Sequence, residues 1–390
     1  MIYSIIAKKD ATIYERSGSM NTGIDEILEI EKTVSSSGTA NIYNSRILIK
    51  FDLAEISSSI VAGLITSPKY YLNLYTNNAS SLDYKYGLEA FPISQSWEMG
   101  RGRTETKKTT NSGATKYEEE GVSWEYRDGR FYFGNKWATS SFFSSSTQST
   151  TGSFTTTGGG GTWYTGSGYF ASQSFDYEQT DVRMNVTDIV NKWLDSSVPN
   201  EGFIVLRSGS HQPANIDEEK NGRPYGSLKF FSTDTHTVYQ PKLEVSWDDS
   251  VYSTGSLTEI NPFTTEAIID VKNNKGSYKK RSREKIRLVV REKYPAKTYA
   301  TKSEALTLNV LPSSSYYSVK DMITEETIIP FDSSSTLIGA DADGNFFNLW
   351  MNQFYDERRY KFIFRSISGS YQTPVNDVIF DNDYTFKVVR

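Results

Sequence analysis

The chain contains no cysteine and only 2 histidines. The first absence removes disulfides, thiol nucleophiles, zinc ribbons and iron–sulfur clusters together. The second leaves little material for metal or acid–base constellations, so neither a cofactor nor a metal is expected. Charge of one sign is not in excess: 42 Lys plus Arg stand against 47 Asp plus Glu, a formal net charge of -5 over 390 residues. That balance lacks the broad cationic surface by which proteins hold phosphate backbones, and nucleic acid is not expected as the main ligand. Long apolar runs are missing too. No segment reaches the roughly 18 uninterrupted apolar residues of a spanning helix. The short apolar start, Ile2 to Ala7, is followed rather than preceded by its basic residues and shows no small-residue cleavage pattern. Neither a signal peptide nor a membrane partner is expected.

What the chain does have is rings: 26 Tyr, 21 Phe and 7 Trp, or 14% of the residues. Rings and β-branched residues suit pleated surfaces. In Arg46-Ile47-Leu48-Ile49-Lys50-Phe51-Asp52-Leu53, the residues Ile47, Ile49, Phe51 and Leu53 share one face at period two, which predicts a half-buried strand. Further short strands are predicted at Tyr70 to Tyr75, Tyr86 to Phe91, Gly202 to Leu206, Leu228 to Phe231 and Pro241 to Trp247, separated by Asn, Ser and Gly clusters. A helix is predicted where Val186, Ile189, Val190 and Trp193 fall at i, i+3, i+4 and i+7, capped by Asn185 or Thr187. Between about 100 and 180 the texture changes to Ser, Thr and Gly, with scattered rings at Phe131, Tyr132, Phe133, Trp137, Phe142, Phe143, Trp163, Tyr164, Tyr169 and Phe170. A packed regular core is not expected there, but the rings argue for partial order or for ordering on a partner.

Asp248-Asp249-Ser250 reads as the end of a first domain. Beyond it, Ala267 to Val271 and Lys285 to Arg291 flank the turn signal Asn273-Asn274-Lys275-Gly276, and later strands are predicted at Ser315 to Asp321, Thr327 to Phe331, Tyr360 to Arg365 and Tyr384 to Val389. No internal repeat is evident. The predicted fold is all-β: a jelly-roll sandwich over 1–248 with one short helix and the insertion at about 100–180, followed by one or two small β-sandwich domains, 249–310 and 311–390.

The first 248 residues resemble the DNRLRE-type (disaggregatase-related) jelly-roll domain. The resemblance is an ordered series of signals: Asp10-Ala11-Thr12-Ile13-Tyr14, then Arg46 to Leu53, then Tyr71-Leu72-Asn73-Leu74-Tyr75 and Ser96-Trp97-Glu98. It continues with Val186 to Trp193, Asn200-Glu201-Gly202-Phe203-Ile204-Val205 and Pro241-Lys242-Leu243-Glu244-Val245. Trp97 to Gly102, Gly121-Val122-Ser123-Trp124, Leu311-Pro312, Ser315 to Asp321, Gly344 to Phe347 and Phe386-Lys387-Val388 are similar to the version carried by virion proteins of large tailed phages. Tyr225-Gly226-Ser227 departs from the pattern of many cellular members, so their carbohydrate-related properties transfer poorly. The resemblance implies a non-enzymatic structural protein of a tailed-phage virion. It would sit in the neck, collar or tail, assembled in the host cytoplasm with other virion proteins and with copies of itself in a symmetric array. The alternatives are a carbohydrate-binding adhesion module for host attachment, with a glycan as partner, or a head decoration protein.

Trp97 and Trp193 are expected in the core. Trp124, Trp137, Trp163 and Tyr164, in the insertion, are candidates for exposed partner contacts. So are Lys279, Lys280, Arg281 and Arg283, the densest basic patch, whose alternative role is to blunt a sheet edge. Asp341-Ala342-Asp343-Gly344-Asn345 alternates oxygen ligands as a calcium loop does but has Asn352 at the twelfth position, and an ordinary hairpin turn is expected. His211 and His236 adjoin no nucleophile motif, and no carboxylate pair is marked out for glycoside hydrolysis, so no catalytic residue is assigned.

Overall fold

The computed structural model describes residues 1–35, 41–104, 108–109, 115–116, 121–129, 134–138, 142–143, 150–152, 159–176, 180–208, 218–219, 221–272, 274–296, 299 and 307–390. The elements run β1 (Ile2–Ile6), β2 (Lys9–Tyr14), β3 (Ile27–Ser35), β4 (Asn41–Lys50), α1 (Ala54–Val61), β5 (Lys69–Leu74), β6 (Thr76–Ser80) and β7 (Lys85–Pro92). Within the insertion lie β8 (Lys108–Thr109), β9 (Thr115–Lys116), β10 (Phe142–Phe143), β11 (Thr150–Gly152), β12 (Trp163–Thr165) and β13 (Ala171–Asp176). Then come β14 (Val182–Asn185), α2 (Thr187–Leu194), β15 (Phe203–Arg207), β16 (Gly226–Phe231) and β17 (Lys242–Ser246). The remainder is β18 (Thr258–Glu259), β19 (Ala267–Lys272), β20 (Ser277–Lys279), β21 (Arg283–Glu292), β22 (Asn309–Val310), β23 (Ser315–Asp321), β24 (Thr327–Ile329), β25 (Gly339–Asp341), β26 (Gly344–Trp350), β27 (Arg359–Gly369) and β28 (Pro374–Val389). The protein is an all-β molecule of curled, sandwich-like sheets. Among the described residues no helix is long and apolar enough to cross a membrane.

The chain divides into a larger unit, Ile5–Ser58 with Lys69–Glu244, and a smaller one, Met1–Ser4 with Ser59–Pro68 and Val245–Arg390. The larger unit is built on a sheet in the order β13-β7-β15-β4-β3-β16-β6, with β2 also paired to β4. β5 and β14 pair antiparallel in the second sheet of this unit and bury Tyr70, Leu72, Leu74, Val182 and Met184. Strand β4 departs from the half-buried expectation. Ile47 and Ile49 are fully buried, but so is Leu48 on the opposite face, and Arg46 is 2% exposed. Strand β15 is buried along its whole length for the same reason: the sheet is covered on both sides, so alternation gives way to a continuous apolar run. The second cover is the insertion, whose Val122, Trp124, Trp137 and Trp163 join Ala11, Ile13, Leu48, Phe91, Ile204 and Leu206 in one core. The expectation that the insertion would lack a packed core is corrected for these residues. Phe131, Tyr132, Phe133 and most of the Ser/Thr/Gly run lie outside the described residues.

Helix α2 forms where its period predicts. Asn185 Oδ1 accepts hydrogen bonds from the Thr187 N–H and Oγ1 (3.1 and 2.7 Å), and Trp193 packs its ring 4.6 Å from that of Phe203. A second helix, α1, joins it, started by Asp52 Oδ1 accepting from the Ala54 N–H at 3.1 Å.

In the smaller unit the stretches 249–310 and 311–390 share one core, and the division expected at 310/311 does not separate two domains. Strand β21 pairs with β26 from Arg283↔Trp350 to Leu288↔Asn345. The core mixes Ile269, Val271, Ile286 and Leu288 with Tyr317, Phe347, Phe362 and Phe386. Rings dominate it: Tyr317 stacks on Phe347 at 4.2 Å and Phe362 on Phe386 at 4.6 Å. Its second sheet has the order β20-β28-β27-β23-β24.

Candidate functional site

The densest polar chemistry lies in the larger unit, where three cations that a sequence places on a surface are buried instead. Arg46, on β4, carries its guanidinium between the rings of Trp124 (4.8 Å) and Trp163 (5.1 Å). Its Nε and Nη2 donate to the two oxygens of Glu219 at 2.9 and 2.6 Å, and Nη1 donates to the Gly160 carbonyl. Stacked and bidentate contacts together use the whole planar fork, which lysine cannot reproduce. Gly160 must be glycine: its φ is +77°, and a Cβ there would meet Trp124 Cζ2 at 2.9 Å as well as the Arg46 guanidinium.

Beside it, Arg207 on β15 is 1% exposed and lies over the rings of Tyr86 (5.9 Å) and Tyr225 (5.6 Å). Its Nη2 donates to the Tyr225 and Gly226 carbonyls at 2.8 and 3.0 Å, and Nη1 lies 4.0 Å from Glu218 Oε2. Glu218 accepts the Gly87 N–H at 2.9 Å. Burial, opposed by Arg207, pushes the Glu218 carboxyl up to about 7, and burial likewise lowers the Arg207 guanidinium. Lys32, on β3, donates to the Glu218 carbonyl and to Asn221 Oδ1 (3.0 Å) and sits over the Tyr225 ring. Residues Glu218 and Glu219 therefore fasten cations from three strands, Glu219 holding Arg46 of β4 by its carboxylate, Glu218 facing Arg207 of β15 with its carboxylate and Lys32 of β3 with its carbonyl, and Arg46 fastens the insertion. Asn21 adds a further tie, its Nδ2 donating to the Met99 and Val122 carbonyls and its Oδ1 accepting from Gly102.

The same unit has an open groove of about 460 Å³ lined by Tyr14, Asp25, Glu26, Glu29, Arg103 and Lys229. Its groups largely satisfy one another. Tyr14 Oη donates to Glu29 Oε2 at 3.0 Å, Lys229 lies 3.4 Å from Glu29 Oε1, and Asp25 accepts the Thr104 N–H. Burial, with Glu29 beside it, raises the Tyr14 hydroxyl.

The expected contact residues fare unevenly. Trp124, Trp137 and Trp163 are 4%, 1% and 1% exposed, which corrects their placement as exposed contacts: they cover the second face of the sheet. Trp137 Nε1 donates to the Ser123 carbonyl at 2.9 Å. Tyr164 is half-buried with its ring 6.0 Å from that of Tyr169. Trp97 and Trp193 are core residues, as expected. The basic patch divides: Lys280 pairs with Asp356 (2.5 Å) and Arg283 with Asp249 (3.8 Å), while Lys279 and Arg281 are exposed. Asp341 begins a two-residue hairpin turn and is held well below the usual carboxylate range by hydrogen bonds from Arg287 and Lys285. His236 is exposed, 3.7 Å from Glu26, and His211 lies outside the described residues. Among the described residues no group of three or more His, Asp or Glu side chains could hold a metal ion.

Sequence reasoning missed the roles of Arg46, Arg207, Lys32, Glu218 and Glu219. One signal was present: a cation inside or at the end of a strand whose apolar residues occupy both parities, as at Arg46 and Arg207. No protein-family model matches the chain, and no curated protein matches it.

Proposed function

We propose that the chain is a non-enzymatic structural protein of a tailed-phage particle, placed at the neck, collar or tail, where it acts by mechanical and adhesive contact. The observation that carries this reading is the direction in which the insertion's chemistry points. Trp124, Trp163 and the Gly160 carbonyl turn inward to hold Arg46, whereas a recognition loop turns its rings and charges outward into a groove. Buried cations held by rings, carbonyls and carboxylates rigidify an assembly part and leave little reactivity. The ordered series of DNRLRE-type signals and their similarity to virion proteins supply the setting.

The test is immunogold labelling of purified parent-phage particles with antibody raised against the folded full-length chain. Gold at one defined position on each particle is expected. Bare particles, with an antibody that captures the folded protein, would overturn the reading.

A second reading, glycan attachment, is favoured by one observation: the carboxylate-lined groove beside Tyr14. It requires that a glycan array return a ligand whose binding falls on Glu26→Ala. The internal satisfaction of Glu29 and Asp25 places it second.

A further inference from the structure

We infer that copies of the chain join head to tail by strand addition, the outer edge of β28 in one copy receiving β20 and the basic turn after it from the next. The inference rests on the assembly reading above and names its interface. Strand β28 pairs with β27 from Pro374 to Lys387, but among the described residues the only other strand it pairs with is β20, at residues 387–389. Along 374–380, among the described residues, no strand covers the outer side. That is a row of unpaired backbone donors and acceptors roughly 23 Å long at about 3.3 Å per residue. Edges of this kind are ordinarily blunted by lysine or by an inward charge. Here Pro374 and a register shift at Val375 interrupt the start of the row, and Val375 and Ile379 are 80% and 59% exposed.

Charge selects the occupant. From Pro374 to Phe386 the strand carries Asp377, Asp381 and Asp383 and no cation. From Lys279 to Arg283 the chain carries Lys279, Lys280, Arg281 and Arg283 and no acid. Strand β20 ends its sheet, so it too has an uncovered side among the described residues. Lys280 and Arg283 are held within their own unit, as are Asp377 by Arg365 and Asp381 by Lys361. Lys279 and Arg281 on one copy and Asp383 on the other are the charges left to meet. Arg281 is exposed in the left-handed region at φ +67°, a conformation glycine or asparagine adopts more cheaply. An edge that accepts a different surface is heterologous, so it propagates into a ring or filament instead of stopping at a dimer.

Sedimentation velocity of the full chain over a concentration series tests this. The wild type is expected to self-associate. Val375→Lys with Ile379→Lys, both at exposed positions, is expected to abolish association while leaving the melting temperature unchanged. Lys279→Glu with Arg281→Glu, and separately Asp383→Lys, are each expected to weaken it, and mixing these two variants is expected to restore it, because each then meets its complement. A monomeric wild type, association untouched by the Val375/Ile379 change, or no rescue on mixing would overturn the inference. Bare particles in the labelling experiment with this association intact would overturn the phage reading alone; labelled particles with a monomeric protein would overturn this interface alone.

Discussion

Asp10 shows what a single buried group does to this protein. It sits on β2 at 1% exposure and accepts from the Thr233 N–H and Oγ1, both at 2.8 Å, with no cation paired to it among the described residues. Burial pushes its carboxyl up to about 7, and burial does the same to Glu218. Folding therefore tightens these protons relative to the unfolded chain, whose carboxyls titrate near 4. The stability they contribute is complete below that pH and is lost as pH rises through about 7. For Asp10 alone the loss is on the order of 4 kcal/mol. Urea unfolding is expected to show higher stability near pH 5 than near pH 8, and Asp10→Asn, which keeps the shape without the titration, is expected to flatten that slope. An unchanged slope in the variant would mean that Asp10 is ionised in the folded protein. Arg46 is a buried charge that has its partner, Glu219. Arg46→Ala leaves Glu219 buried without its partner and opens the space between two indoles, at a cost of about 3–5 kcal/mol. Arg46→Lys recovers only part, since an ammonium neither stacks in the same plane nor fills both carboxylate oxygens. Denaturant midpoints with tryptophan emission as the probe distinguish these outcomes.

At the scale of the element, the insertion is the informative case. Its descent onto the sheet depends on the chain passing close to Trp124 at 159–161, where three successive glycines have positive φ. Gly160→Ala is expected to cost about 2 kcal/mol or more through strain and the clash with Trp124. Limited proteolysis should then show the insertion cut before the rest of the larger unit; equal resistance in variant and wild type would show that 159–161 is not what holds it. Strands β4, β5, β7, β15 and β17 and helix α2 were legible because short runs of β-branched and aromatic residues, and period 3.6, are written in neighbouring residues. Helix α1 was not, because Leu53, Ile56 and Ile60 make only a short i, i+3, i+7 stripe broken by Ser57-Ser58-Ser59, and the added signal is one cap at Asp52. The second cover over β4 was illegible for a different reason. Exposed and buried indoles look alike in sequence, and a Ser/Thr/Gly background lowers the expectation of packing without saying where each ring goes. The candidate site was the least legible part. Arg46 and Glu219 are 173 positions apart, and nothing in the local pattern of either marks the other.

For the whole molecule, chain order and packing order differ. A reading along the sequence assigns Ile2 and Tyr3 to the first domain, since they open it. They belong instead to the smaller unit: Ile2 lies in the core with Ile269, Val271 and Leu288, and Tyr3 meets Trp350 edge-on at 5.1 Å. Changes at the first residues of a chain ordinarily cost little, because termini are loosely held. Here Ile2→Ala is expected to cost about 2–5 kcal/mol, the range for emptying a buried aliphatic site. The cost should fall on one unit only. Hydrogen exchange of the full-length variant is expected to accelerate in β19, β21 and β26, whose side chains share its core, while β5 and β14 keep their wild-type protection. Faster exchange confined to β5 and β14 would return the first residues to the larger unit and restore the boundary that the sequence alone suggests. The physical reason to expect otherwise is that a core is closed by whichever segment supplies the missing side chain, and separation along the chain adds to the entropy of closure only as the logarithm of its length.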